Sequence, residues 1–167
     1  NQAQMDIFEQ YFYDLNQFKR VPGNDSIYSD ATTMIEEKIE YFQKTSTFNT
    51  TTVSYPSVSA MVGLPSSYYR IVTITTPNND GINLEVERLT KKEYYEAHSA
   101  PLTSPTLSRP QFYFSDNKVY VSPSNIQKID ICYIRTPIAA NWTYIVVGDK
   151  ALYNNSANDK QDFELHP

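Results

Sequence analysis

Hydrophobic and polar positions follow two different rhythms along this chain. Over Gln2 to Phe18, Met5, Phe8, Phe12, Leu15 and Phe18 recur at steps of three and four, which is the stripe of an amphipathic helix. Asp6, Glu9, Gln10 and Asp14 fill the rest of the wheel. Turn chemistry follows at Val21-Pro22-Gly23-Asn24-Asp25. A second helix is predicted from about Asp30 to Gln43, capped by Ser29 or Asp30, with Met34, Ile35, Ile39 and Phe42 as its buried stripe. Two such helices joined by a short connection predict a helical hairpin.

Beyond it the period shortens to two. Thr50 to Tyr55 reads as extended, and Tyr68 to Thr76 as a β-branched strand. A turn at Pro77 to Gly81 leads to a strand from Ile82 to Leu89. Thr90 caps a short helix through Lys91 to His98, and a loop with Pro101, Pro105 and Pro110 follows. The clearest local signal is the hairpin Gln111 to Pro123. Phe112 and Phe114 alternate on one arm, Val119 and Val121 on the other, about a polar Ser115-Asp116-Asn117-Lys118 turn. Tyr113 and Tyr120 fall on the opposite face. Further strands are predicted at Lys128 to Arg135, Trp142 to Val147, Ala151 to Asn154 and Phe163 to Leu165.

Helices grouped ahead of turn-linked strands predict an α+β fold, an N-terminal helical hairpin packed with a mainly antiparallel β-sheet. The expected organisation is a single domain, with a helical segment over 1–48 and a β-rich segment over 49–167 carrying one short helix. Both ends look cut, because the chain starts at Asn1 inside a helical pattern and stops at Glu164-Leu165-His166-Pro167.

Composition narrows the function. The 167 residues include 14 tyrosines and 10 prolines but only 4 glycines, so loops are stiffened and half-buried Tyr surfaces are expected. Net charge is −5, and no basic cluster exceeds the pairs Lys19-Arg20 and Lys91-Lys92, which argues against a nucleic-acid-binding surface. Cys132 is the single cysteine, so no intrachain disulfide forms, and its mid-strand place reads as a small buried hydrophobe. No apolar run reaches the roughly 18 residues of a membrane span, and the N-terminus is not a signal peptide.

Candidate chemistry is sparse. Asp6, Glu9 and Asp14, and likewise Glu36, Glu37 and Glu40, read as solvated helix faces. Glu85 and Glu87 project from the same side of one strand; paired carboxylates can cleave glycosides, but here they read as the exposed face opposite Leu84 and Val86. His98 follows Glu93 and Glu96 with no second histidine near it in sequence, which disfavours zinc. Ser66, Ser67, Ser99 and Ser108 lack a nucleophile elbow. Asn78-Asn79-Asp80-Gly81 reads as a turn rather than a calcium loop. No cofactor or metal is expected.

The order of features resembles the head–tail connector, or ring/adaptor, proteins of short-tailed phages, most specifically those of crAss-like phages. The resemblance runs over nearly the whole chain. It is carried by Asn1-Gln2-Ala3-Gln4 before an aromatic helix, Gly63-Leu64-Pro65-Ser66-Ser67-Tyr68-Tyr69-Arg70, Glu87-Arg88-Leu89 and Arg109-Pro110-Gln111-Phe112-Tyr113-Phe114. It continues in Val119-Tyr120-Val121-Ser122-Pro123, Tyr133-Ile134-Arg135-Thr136-Pro137 and Asp162-Phe163-Glu164-Leu165-His166-Pro167. The resemblance implies a virion protein without an active site, made in the host cytoplasm. It implies a homo-oligomeric ring of roughly twelve copies between the portal and neighbouring tail or ring proteins, with a lumen through which genome DNA passes without sequence-specific binding, and no membrane contact.

For such a ring, the expected interface residues are Tyr113, Tyr120, Pro101, Pro105 and Arg109, because Tyr surfaces and Pro-stiffened loops lose little freedom on docking. Two rival expectations stand beside it. A carbohydrate- or host-surface-binding module would use Trp142 and the tyrosines as a stacking platform. A small hydrolase would need a perturbed acid/base pair in a cleft.

Overall fold

The computed structural model describes residues 1–20, 26–54, 59–77, 82–153 and 160–165, with backbone alone for 26–29. The turn expected at Val21 to Asp25, most of that at Pro77 to Gly81, and the His166-Pro167 end lie outside the described residues. In chain order the elements are α1 (Gln2–Arg20), α2 (Ser26–Glu40), β1 (Gln43–Asn49), β2 (Thr51–Val53), β3 (Ser59–Gly63), β4 (Tyr68–Pro77) and β5 (Asn83–Glu85). Then come β6 (Glu87–Arg88), α3 (Lys91–Ser99), β7 (Gln111–Ser115), β8 (Lys118–Ser122), β9 (Lys128–Arg135), β10 (Tyr144–Val147) and β11 (Lys150–Tyr153). The fold is α+β, as the two rhythms of the sequence predict.

The chain forms two compact units: residues 1–43 with 135–167, and residues 44–134. The expected boundary at 48/49 falls inside β1. In the first unit α1 and α2 pack together as a helical hairpin. Phe8 is fully buried, with its ring edge-on to Phe12 at 5.2 Å and to Phe42 at 5.1 Å. Ile39 and Phe42 are buried as predicted, but Met34 is 59% exposed. α2 also starts earlier than expected, so Ser29 and Asp30 lie within the helix and do not cap it. The segment Phe163 to Leu165 is irregular rather than a strand. It is held by the Glu164 carboxylate, which accepts from both terminal nitrogens of the Arg135 guanidinium, one at 2.8 Å, and from the Ile138 N–H at 2.8 Å.

The second unit is built on two sheets, ordered β1-β9-β4-β5 and β2-β3-β8-β7-β6. Both contribute to one core: Ala60 and Val62 from β3, Ile71 and Ile74 from β4, Phe112 from β7, Val119 and Val121 from β8, and Ile129, Ile131 and Tyr133 from β9. Cys132 and Ile134 are buried as well, so β9 is covered on both faces, as its nearly unbroken apolar run requires. The β7–β8 hairpin has the expected register, with Phe112 opposite Val121, Tyr113 opposite Tyr120 and Phe114 opposite Val119. Asp116 (φ 52°) and Asn117 (φ 59°) make its two-residue turn. Left-handed backbone at both positions matches the right-handed twist of the arms.

The predicted strand Ile82 to Leu89 is two strands. β5 pairs antiparallel with β4, while β6 pairs parallel with β7 in the other sheet. The chain crosses between sheets at Val86, which is 2% exposed and donates its N–H to Ile74 O at 2.8 Å. Thr90 caps α3 in a reciprocal box with Glu93: the Glu93 N–H donates to Thr90 Oγ1 and the Thr90 N–H to Glu93 Oε2.

Candidate functional site

Three features carry polar or interactive chemistry. The first is an aromatic layer on the face of the β7–β8 hairpin that points away from the core. α3 lies across β7 because Tyr94 and Ala97, three apart, share its buried side. Tyr94 packs on Tyr113 at 4.6 Å, and Tyr113 stacks on Tyr120 at 4.8 Å. Burial first, and a hydrogen bond with Tyr95 second, push the Tyr113 phenol far above its ordinary value.

Sequence reasoning expected Tyr113 on a contact surface, and the structure corrects this. At 2% exposure it is covered by α3, because a helix with a Tyr on its inner face needs an apolar bed. Tyr120 is half-buried, Pro101 and Arg109 are exposed and Pro105 is half-buried. Pro101, Pro105 and Arg109 share a loop in which Thr106 and Arg109 bridge backbone to backbone, and Leu102 stands 93% exposed.

The layer also brings together a serine and a histidine that no sequence motif links. His98 Nε2 lies 2.9 Å from Ser122 Oγ, and His98 Nδ1 lies 2.7 Å from the Tyr94 carbonyl. A carbonyl oxygen only accepts, so Nδ1 carries a proton, and in the neutral ring Nε2 accepts from Ser122. Tyr94 OH bonds the same serine oxygen. A nucleophile beside a base oriented by a third group is the geometry of acyl-transfer sites. Ser122, however, is 1% exposed, so the oxygen that would attack faces protein. The arrangement ties α3 to β8.

The second feature is an open sheet edge. β5 ends one sheet and β6 the other, so residues 83–88 present an outer side that pairs with no strand among the described residues. Glu85 and Glu87, expected on one strand face, instead belong to different sheets. Glu85 accepts from Thr73 Oγ1 at 3.2 Å, and Glu87 accepts from Gln111 Nε2 at 3.2 Å. Gln111 Oε1 is buried with no donor among the described residues. Beside this edge a cleft of about 380 Å³ is lined by Ile71, Val72, Ile74, Val86 and Phe112, with Glu85, Glu87 and Arg88 also lining it.

The third feature is the β10–β11 ribbon. It pairs Tyr144 with Tyr153, Ile145 with Leu152, Val146 with Ala151 and Val147 with Lys150. Gly148 (φ 56°) and Asp149 (φ 60°) form the turn. Every residue of both strands is exposed. Tyr144, Val146, Ala151 and Tyr153 lie on one face, and Ile145, Val147, Lys150 and Leu152 on the other, so one face is apolar and the other is apolar apart from Lys150. Trp142, 59% exposed, stands edge-on to Phe163 at 5.1 Å.

Among the described residues no group of three or more His, Cys, Asp or Glu is placed to hold a metal ion, and no helix is long and apolar enough to cross a membrane. No family model matches the sequence, and no curated protein is similar to it.

Proposed function

We propose that this chain is a structural virion protein, one subunit of the ring that joins portal to tail in a short-tailed, crAss-like phage. In this reading roughly twelve copies close around a lumen, genome DNA passes without being read, and the chain performs no catalysis. The observation that carries it is the β10–β11 ribbon. A two-stranded ribbon is marginal alone in water, and one that exposes Tyr144, Ile145, Val146, Val147, Leu152 and Tyr153 goes well beyond the scattered apolar residues of a monomer surface. Such a surface suits a subunit whose neighbours cover it. The sequence resemblance supplies the kind of assembly, and the acidic balance of the chain suits a channel that does not grip DNA.

The test is the particle mass of the purified chain together with negative-stain imaging. A ring with a central hole is expected. A monomer at concentrations far above those of virion assembly overturns the reading. The exposed Trp142–Phe163 pair favours a second reading, a carbohydrate- or host-surface-binding module. That protein would stay monomeric and lose glycan binding on Trp142→Ala.

A further inference from the structure

Another cleft, of about 430 Å³, is lined by residues of β6, β7, α3 and the loop that follows the helix. Its lining carries three acids, Glu87 from β6 with Glu93 and Glu96 from α3, and one cation, Arg109. Among the described residues Arg109 makes no ion pair with any of the three. Lys92 reaches Glu96 at 3.7 Å, but both side chains are largely exposed, so the pair holds little. Glu93 commits one oxygen, Oε2, to the Thr90 cap. Glu87 and Gln111 stand side by side in the parallel register. Gln111 is 3% exposed, its Nε2 donates to Glu87 Oε2 at 3.2 Å, and its Oε1 is buried with no donor among the described residues. A carboxylate and an amide carbonyl therefore meet here with too few N–H groups to serve both. Leu89, Ala97 and Ala100 add apolar lining.

We propose that this cleft binds a small aliphatic diamine in its doubly protonated form, one ammonium against Glu87 and Gln111, the other against Glu93 and Glu96, with the methylene chain on the apolar lining. An ammonium brings three donors and no acceptor, which is what the Glu87–Gln111 pair lacks. Its charge answers the acidic excess of a cleft walled partly by apolar groups, where charge pairing is stronger than in open water. A bare metal ion fits less well, because no group of three or more His, Cys, Asp or Glu among the described residues is placed to hold one. Two acidic positions, one on a strand and one on a helix, suit a cation with two charged ends. The site lies within the second unit of one chain, with every lining residue among those described, so it stands whether or not copies assemble.

The experiment titrates the chain by calorimetry, at constant ionic strength, with 1,4-diaminobutane. Magnesium chloride and 1-aminobutane, which mimics the lysine side chain of a protein partner, are titrated beside it. The diamine binds at one site per chain, and the monoamine binds about tenfold more weakly, since it lacks the second charged end. Glu96→Gln, an exposed change that spares the fold, weakens diamine binding, and adding Glu87→Gln brings the loss to about tenfold or more. Thermal melts check that both variants fold. Absence of diamine binding overturns the proposal, as does undiminished binding by Glu96→Gln. Equal affinity for the monoamine overturns the two-ended site in favour of a lysine side chain. Magnesium binding as tightly as the diamine, and lost in the same variants, overturns it in favour of a diffuse acidic surface.

Discussion

Tyr113 and Tyr120 stack face to face across the β7–β8 hairpin, centroids 4.8 Å apart and planes within 6°. Their alignment follows from register, since directly opposed residues on one face of an antiparallel pair hold their side chains in contact. α3 then seals Tyr113 from above, and the seal has a pH signature. The ordinary Tyr value is 10.0, and Tyr113 lies well above it, by burial and then by its hydrogen bond with Tyr95. A folded-state value above the unfolded one means stability that is full below about pH 10 and lost as pH rises through the folded value. Phenolate absorbance should therefore show the Tyr113 share appearing only as the fold is lost. If all tyrosines titrate together with the structure intact, the seal is absent.

Phe8→Ala should destabilise the helical hairpin by about 3–5 kcal/mol, because Phe8 is fully buried against Phe12 and Phe42. Chemical denaturation checks this, and a change below 1 kcal/mol, roughly the level of a surface substitution, contradicts it.

The Glu164 carboxylate is held below its ordinary value, first by hydrogen bonding from Arg135 and further by the Ile138 N–H, against the opposing cost of burial. A depressed folded value means stability present above the ordinary Glu range and lost as pH falls through the folded value. Glu164→Gln should cost about 1–3 kcal/mol near neutral pH and flatten the acid limb of a stability-against-pH curve. An unchanged acid limb would refute the assignment.

The β7–β8 hairpin is legible in the sequence because alternation and turn chemistry agree there. Phe112, Phe114, Val119 and Val121 set the inner face, and Asp116-Asn117 tolerates left-handed backbone. β1 escapes because it is an edge strand in which Phe48 is the one apolar residue, so it has no period to read. β3 escapes because it is short and built from Ser59, Ala60, Met61, Val62 and Gly63, mostly small residues with weak strand preference. The break at Val86 is invisible because alternation continues through it while the pairing partner changes. Ser122 and His98 stand 24 residues apart with no local motif, so only the folded chain joins them.

Ser122→Ala should lower stability by about 1–3 kcal/mol, since a buried hydroxyl bonded to His98 and Tyr94 is removed. No ester or peptide hydrolysis should be measurable before or after the change. A turnover that disappears with Ser122 would instead establish a hydrolase.

Asn117→Val should destabilise the second unit by about 1–2 kcal/mol, the steric cost of left-handed backbone for a branched residue. Asn117→Gly should be neutral or stabilising in the same denaturation assay. Equal stability of the Val and Gly variants would contradict the turn geometry.

Val86 also governs how the second unit comes apart. Its neighbours on either side are locked into different sheets, through Val86 N–H to Ile74 O at 2.8 Å and Glu87 N–H to Pro110 O at 2.9 Å. Neither sheet can peel from its β5 or β6 end without dragging the other, so the edge behaves as a rivet rather than a fraying margin. Amide exchange in β4 and β7 should accordingly occur through one shared opening event, a single cooperative unit that spans both sheets.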